Sequence, residues 1–147
     1  MLSLIDRFLK RKPASNEKIK YIEQKFDYDC GQTCLEMLGY DGHNMFPDKA
    51  LIREDLMSIV GVKEESYENI RSLIPSFPEE PCIFSVRMVA DVPEYHWILV
   101  YENKVYCPSF GVFTIEEYLE NIWSPLAAFQ IPFAEDMKHT IVSGNQE

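Results

Sequence analysis

The sequence predicts an α+β domain in which helices come first and antiparallel strands follow. Two patterns lead there. Apolar residues recur at helical spacing between capping residues as far as Pro75, and after Pro78 the period changes to runs of β-branched and aromatic residues. A chain of 147 residues, 46% of them hydrophobic, is long enough for one hydrophobic core and short for two. Helices and strands segregated along the chain make the two parts of an α+β fold.

The elements follow in order. Leu2, Ile5, Phe8 and Leu9 share a helical face opposite Arg7, Lys10 and Arg11, so 1–17 reads as an amphipathic helix and a linker beginning at Pro13. That helix suits docking on the domain, and its flanking bases also suit a weak contact with a membrane surface or a partner. The domain proper is expected over 18–133, with a polar tail over 134–147. Tyr21 to Phe26 looks extended. Asp29 is placed as an N-cap with Gln32 closing a capping box, and the helix from Cys30 ends near Leu38 at Gly39. Asp48 is placed to cap a second helix that turns Leu51, Ile52, Leu56 and Ile59 inward and stops at Gly61. Ser66 is placed to cap a third, ending at Pro75. Strands are expected over Pro81–Val89, Tyr95–Glu102 and Lys104–Cys107, the last two joined by a tight turn at Asn103 and Lys104. Thr114 and Glu117 form a capping box for a short helix to about Trp123, and a final strand runs over Leu126–Phe133.

Composition removes several classes of function. A formal net charge of −10 is unsuited to a nucleic-acid surface. No apolar run approaches the roughly 18 residues of a membrane span, and no secretory signal is visible. Four cysteines in this length do not make a disulfide framework. The reading is a cytoplasmic protein with reduced thiols and a polypeptide substrate or partner.

Cys30 would open a helix, where unsatisfied N–H groups and the macrodipole favour an anion and lower a thiol's pKa. A lone cysteine is more often a small buried hydrophobe. A reactive one needs a base, usually His, and donors for the oxyanion. Gln24, six residues earlier on an extended segment, is within reach of the helix N-terminus. Cys34, one turn further along, and Cys82, in a strand, read as core. His43, in Gly42-His-Asn-Met, reads as a solvent-exposed loop residue, and so does His139 in the tail. Trp97 points away from His96 into the core. Cys30, Cys34, His96 and Cys107 are soft ligands of the kind zinc takes, but no Cys-x2-Cys pair accompanies them. No metal or other cofactor is expected.

The run Gln24-Lys-Phe-Asp-Tyr-Asp-Cys30-Gly-Gln-Thr-Cys-Leu-Glu-Met-Leu38 resembles the active-site segment of the bacteriocin-processing peptidases that cut double-glycine leaders. Pro81-Cys-Ile-Phe, His96-Trp-Ile-Leu-Val, Val105-Tyr-Cys-Pro-Ser-Phe-Gly111 and Thr114-Ile-Glu-Glu-Tyr-Leu, with Trp123, are similar to that family's second half. The resemblance spans about residues 20 to 131. It implies a papain-like fold, with the nucleophile helix packed against a C-terminal antiparallel sheet. It also implies Gln24 as oxyanion-hole amide, Cys30 as nucleophile and His96 as general base.

One position departs from that family. Its Asp-Pro, which orients the His, is here Cys107-Pro108, and a thiol offers no fixed charge to an imidazolium. A turn at Asn103-Lys104 would also set Cys107 opposite Val100, four residues or ~13 Å from His96. A bulge could correct that register, or Ser109, a backbone carbonyl, Asp91 or Glu94 could orient the ring. The expected activity is thiol hydrolysis of a peptide or isopeptide amide. Deamidation or acyl transfer on the same pair is an alternative, and so is a catalytically impaired papain-like domain that only binds.

Overall fold

The computed structural model describes residues 18–65, 80–88, 95–121 and 123–137. The helices expected before Pro13 and after Ser66 lie outside these residues, as do Asp91, Glu94 and His139. Three helices, α1 (Cys30–Met37), α2 (Gly42–Met45) and α3 (Arg53–Met57), precede a six-stranded sheet. Its strands are β1 (Lys63–Glu65), β2 (Cys82–Met88), β3 (Tyr95–Tyr101), β4 (Lys104–Cys107), β5 (Gly111–Thr114) and β6 (Trp123–Gln130), with α4 (Ile115–Asn121) between the last two. The strand order is β1-β6-β2-β3-β4-β5 and every pairing is antiparallel. The class is mixed α+β.

Alternation along the strands gives the sheet two apolar faces. Ile83, Trp97, Leu99, Tyr101, Tyr106, Val112 and Phe129 pack with Cys34, Leu35, Leu38 and Leu56 on one face. Phe84, Val86, Ile98, Val100, Val105, Cys107 and Phe113 pack with Ile115 and Tyr118 of α4 on the other. Both faces are therefore covered, by α1 and α3 on one side and by α4 on the other. Between β2 and β6 the register slips, with Ser85 opposite Ala127 and Val86 opposite Pro125. The extra residue is a β-bulge, a position that accommodates a proline without a donor.

Local chemistry accounts for the ends of α1 and α4. Gly39 takes φ +96°, the Gly39 N–H donates to Glu36 O and the Tyr40 N–H to Leu35 O, which is a Schellman cap. Thr114 and Glu117 exchange N–H to side-chain bonds at 3.0 and 3.2 Å, as the capping box requires. The other expected N-caps are corrected. The Asp29 side chain makes no cap bond; it turns back to accept the N–H groups of Lys25 and Phe26 at 3.1 and 2.9 Å. Gln32 donates instead to Phe46 O and Lys49 O. Asp48 sits at φ +51° outside any helix, and α3 begins five residues later, with Asp55 accepting from the Ile52 N–H. Ile52, expected inside, is exposed. The fold also runs past Phe133 into a helical turn over 134–137, tied back by the Ala134 N–H to Leu38 O at 3.0 Å.

β1 and β5 were not expected. The β3–β4 turn is corrected as well: Glu102 and Asn103 occupy it at φ +47° and +69°, and Tyr101 faces Lys104. Two left-handed residues make the tight turn whose twist suits a hairpin. The register moves by two residues from the expected one. Continued by one pair beyond Leu99↔Tyr106, it sets Cys107 opposite Ile98, diagonal to His96 on the same face.

Candidate active site

Cys30 is the first residue of α1 and only 6% exposed. Its neighbour Gly31 is what lets the helix sit this deep: a Cβ there would lie 2.6–2.9 Å from the side chain of Leu51. Leu51 in turn accepts the indole N–H of Trp97 at 3.0 Å. Trp97 stands two residues beyond the last β3–β4 pair, and its backbone N–H donates to Cys30 Sγ at 3.5 Å. The start of α1 therefore abuts the strand that carries His96, at the place where β4 has ended.

His96 lies on the other side of the backbone from Trp97. Its Nε2 is 3.3 Å from Cys107 Sγ, and the buried Tyr118 hydroxyl donates to the same sulfur at 3.2 Å. The corrected register thus brings Cys107 to the ring. Ser109, an alternative for orienting it, donates instead to Gln24 Oε1 at 2.6 Å.

Gln24 is held from three directions. Its backbone N–H donates to Pro108 O at 3.0 Å, Ser109 holds its side-chain oxygen, and its Nε2 donates to Phe26 O at 2.6 Å. Tyr21 adds a bond from its hydroxyl to Cys107 O at 2.7 Å. The extended segment before α1 is therefore stapled to the turn after β4, and Gln24 and Cys107 belong to one bonded unit. Nε2 carries two hydrogens, of which Phe26 O takes one.

Set against known protein families and against curated proteins, the sequence matches none. The chemistry of the site has to be read from its residues.

The electrostatics correct one expectation. Burial pushes the Cys30 thiol up from its usual range, and the N–H groups of Trp97, Gly31 and Cys30 itself only partly offset this. Desolvation likewise lowers His96 to about 4. The first-turn N–H groups do face the sulfur, as the sequence suggested, but removal from water outweighs them. At neutral pH Cys30 is a neutral thiol and His96 a neutral imidazole. Cys107, fully buried, is pushed up to about 12, with the Tyr118 hydroxyl pulling the other way. Cys34 and Cys82 are buried core thiols, also raised, chiefly by desolvation.

His43 was expected in solvent and is not. It lies on α2 with its side chain 34% exposed and both ring nitrogens engaged, Nε2 at 2.8 Å from Asp29 Oδ2 and Nδ1 at 2.6 Å from Glu36 Oε2. In sequence these partners are only two acids, fourteen and seven residues before His43. Among the described residues, no group of three or more His, Cys, Asp and Glu side chains is arranged to hold a metal ion, and no helix is long and apolar enough to cross a membrane.

Proposed function

We propose that the chain is a papain-like thiol hydrolase that cleaves a peptide or isopeptide amide through an acyl-enzyme on Cys30. The observation that carries this reading is the bond from the Trp97 N–H to Cys30 Sγ. It joins a helix-opening cysteine to the strand position next to a histidine.

Because the resting pair is neutral, attack and proton transfer are coupled. As Cys30 Sγ bonds to the substrate carbonyl carbon, its proton passes to His96, and the carbonyl oxygen takes up negative charge. With Nε2 turned to Cys107, Nδ1 is the nitrogen assigned to that proton. Gln24 Nε2 and the N–H groups at the start of α1 are the donors assigned to the oxyanion. Collapse breaks the C–N bond, His96 returns the proton to the departing amine, and a thioester remains. Water then attacks with His96 as base, which releases the acid and restores the thiol. Cys107, with Tyr118 behind it, fixes the ring without supplying a charge, so the imidazolium gains less stabilisation than a carboxylate would give it.

The raised thiol and the lowered imidazole also favour a second reading, a papain-like domain that binds a polypeptide and turns it over slowly or not at all. Incubation of the protein with a peptide library in H2 18O separates the two. Hydrolysis puts one 18O into each new carboxylate and stops in Cys30→Ala. Bound peptides without 18O-labelled products, from a protein whose Cys30 forms no adduct with a peptide electrophile, would overturn the hydrolase.

A further inference from the structure

Asp29 is fully buried and precedes the nucleophile. Its carboxylate meets the Lys25 and Phe26 N–H groups and His43 Nε2. A buried carboxylate requires a counter-charge or a full set of donors. His43 is built for that task, because its other nitrogen and its backbone N–H both face Glu36 Oε2, at 2.6 and 3.2 Å. A ring between two carboxylates donates to both only when protonated. Burial pushes His43 down, and its bonds to Asp29 and Glu36 outweigh that and hold it up. The approach of α2 depends on Gly42, where a Cβ would run into Gln32 O.

We infer that His43 is a positioning residue for the Cys30 site: as a cation it cancels the Asp29 charge beside the thiol and pins the loop that carries the Gln24 amide. The inference rests on Cys30 being the nucleophile. Asp29 and Glu36 are the charged groups on His43; on its own side of the fold, Asp41 at the start of α2 is bonded to Asn44. The Asp29 charge pushes the Cys30 thiol up, so loss of the His43 proton as pH rises makes the thiolate harder to form.

The test is iodoacetamide alkylation of Cys30 in the full-length native protein, followed by mass spectrometry across pH. His43→Gln is expected to slow labelling about three- to tenfold at pH 6, the size of half to one pKa unit. Adding Asp29→Asn to it restores the rate. In Glu36→Gln the inflection in rate moves to lower pH and follows the His43 ring titration seen by NMR. A folded His43→Gln protein labelled at the wild-type rate would overturn the inference, and so would a loss that Asp29→Asn does not restore. If His43→Gln does not fold, an unchanged pH profile in Glu36→Gln overturns it. Should labelling depend on His43 but not on His96, the catalytic pair fails and this inference stands.

Discussion

Acidification from pH 7 to pH 4.5 is expected to cost the fold about 2 kcal/mol through His96 alone. The ring binds its proton with a pKa near 6.5 in the unfolded chain and about 4 in the folded one, because burial disfavours the cation. Between those values the unfolded chain holds more protons, so stability falls as pH falls, by about 1.4 kcal/mol per unit. The contribution is intact above pH 6.5 and lost as pH drops through about 4. Two other groups act differently. His43 is raised, so its contribution is present below pH 6.5 and lost as pH rises through its folded value. Asp29 is pushed up by burial but held low overall by its bonds, and Glu64 is held low by Arg53; both lose their contribution at still lower pH. Urea unfolding of wild type and His96→Gln at both pH values subtracts these. Wild type should lose about 2 kcal/mol more than the variant over the interval. Parallel losses would mean that His96 carries its proton in the fold, and the neutral pair would be wrong.

Gly31→Ala sets two effects against each other. Alanine gains about 1 kcal/mol of helix propensity, but a methyl 2.6 Å from the Leu51 side chain costs about 1–3 kcal/mol of overpacking. Net destabilisation of about 1 kcal/mol is expected by chemical denaturation, together with changed near-ultraviolet dichroism as Leu51 shifts under Trp97. Tyr118→Phe removes the hydroxyl that donates to Cys107 Sγ. It should cost about 1 kcal/mol of stability and lower kcat several-fold with KM unchanged, since the ring loses its backing while the substrate surface is untouched.

Features decided within a few residues were legible in the sequence. Gly39 ends α1 because the cap needs a left-handed residue, and Thr114 with Glu117 starts α4 through bonds three residues apart. The long apolar runs of β2 and β3 also announced themselves. Elements decided by distant partners did not. Lys63–Glu65 is a strand only because β6 lies beside it, and Gly111–Thr114 only because β4 turns back. Asn103 was recognisable as a turn residue, but Glu102 at φ +47° was not, and that one residue displaced the register. The same displacement separated Cys107 from His96 in the sequence reading. His43 was missed because its partners are fourteen and seven residues away and are brought to it by α1 and α2 folding together. The raised thiol was missed because a helix N-terminus is visible in sequence and the depth of its burial is not.

The central claim is that His96 shares the Cys30 proton, and the pH dependence of Cys30 alkylation tests it most directly. A thiol and imidazole that exchange one proton react at a rate independent of pH between the titration of the ring, near 4, and that of the thiol. The expected result is such a plateau for Cys30, broken only by the step of about three- to tenfold that the His43 titration imposes. Cys30 is labelled ahead of Cys34, Cys82 and Cys107, and in His96→Ala the plateau collapses to a rate rising tenfold per pH unit. A wild-type rate that already rises tenfold per unit throughout, or Cys82 labelled as fast as Cys30, would contradict the pairing.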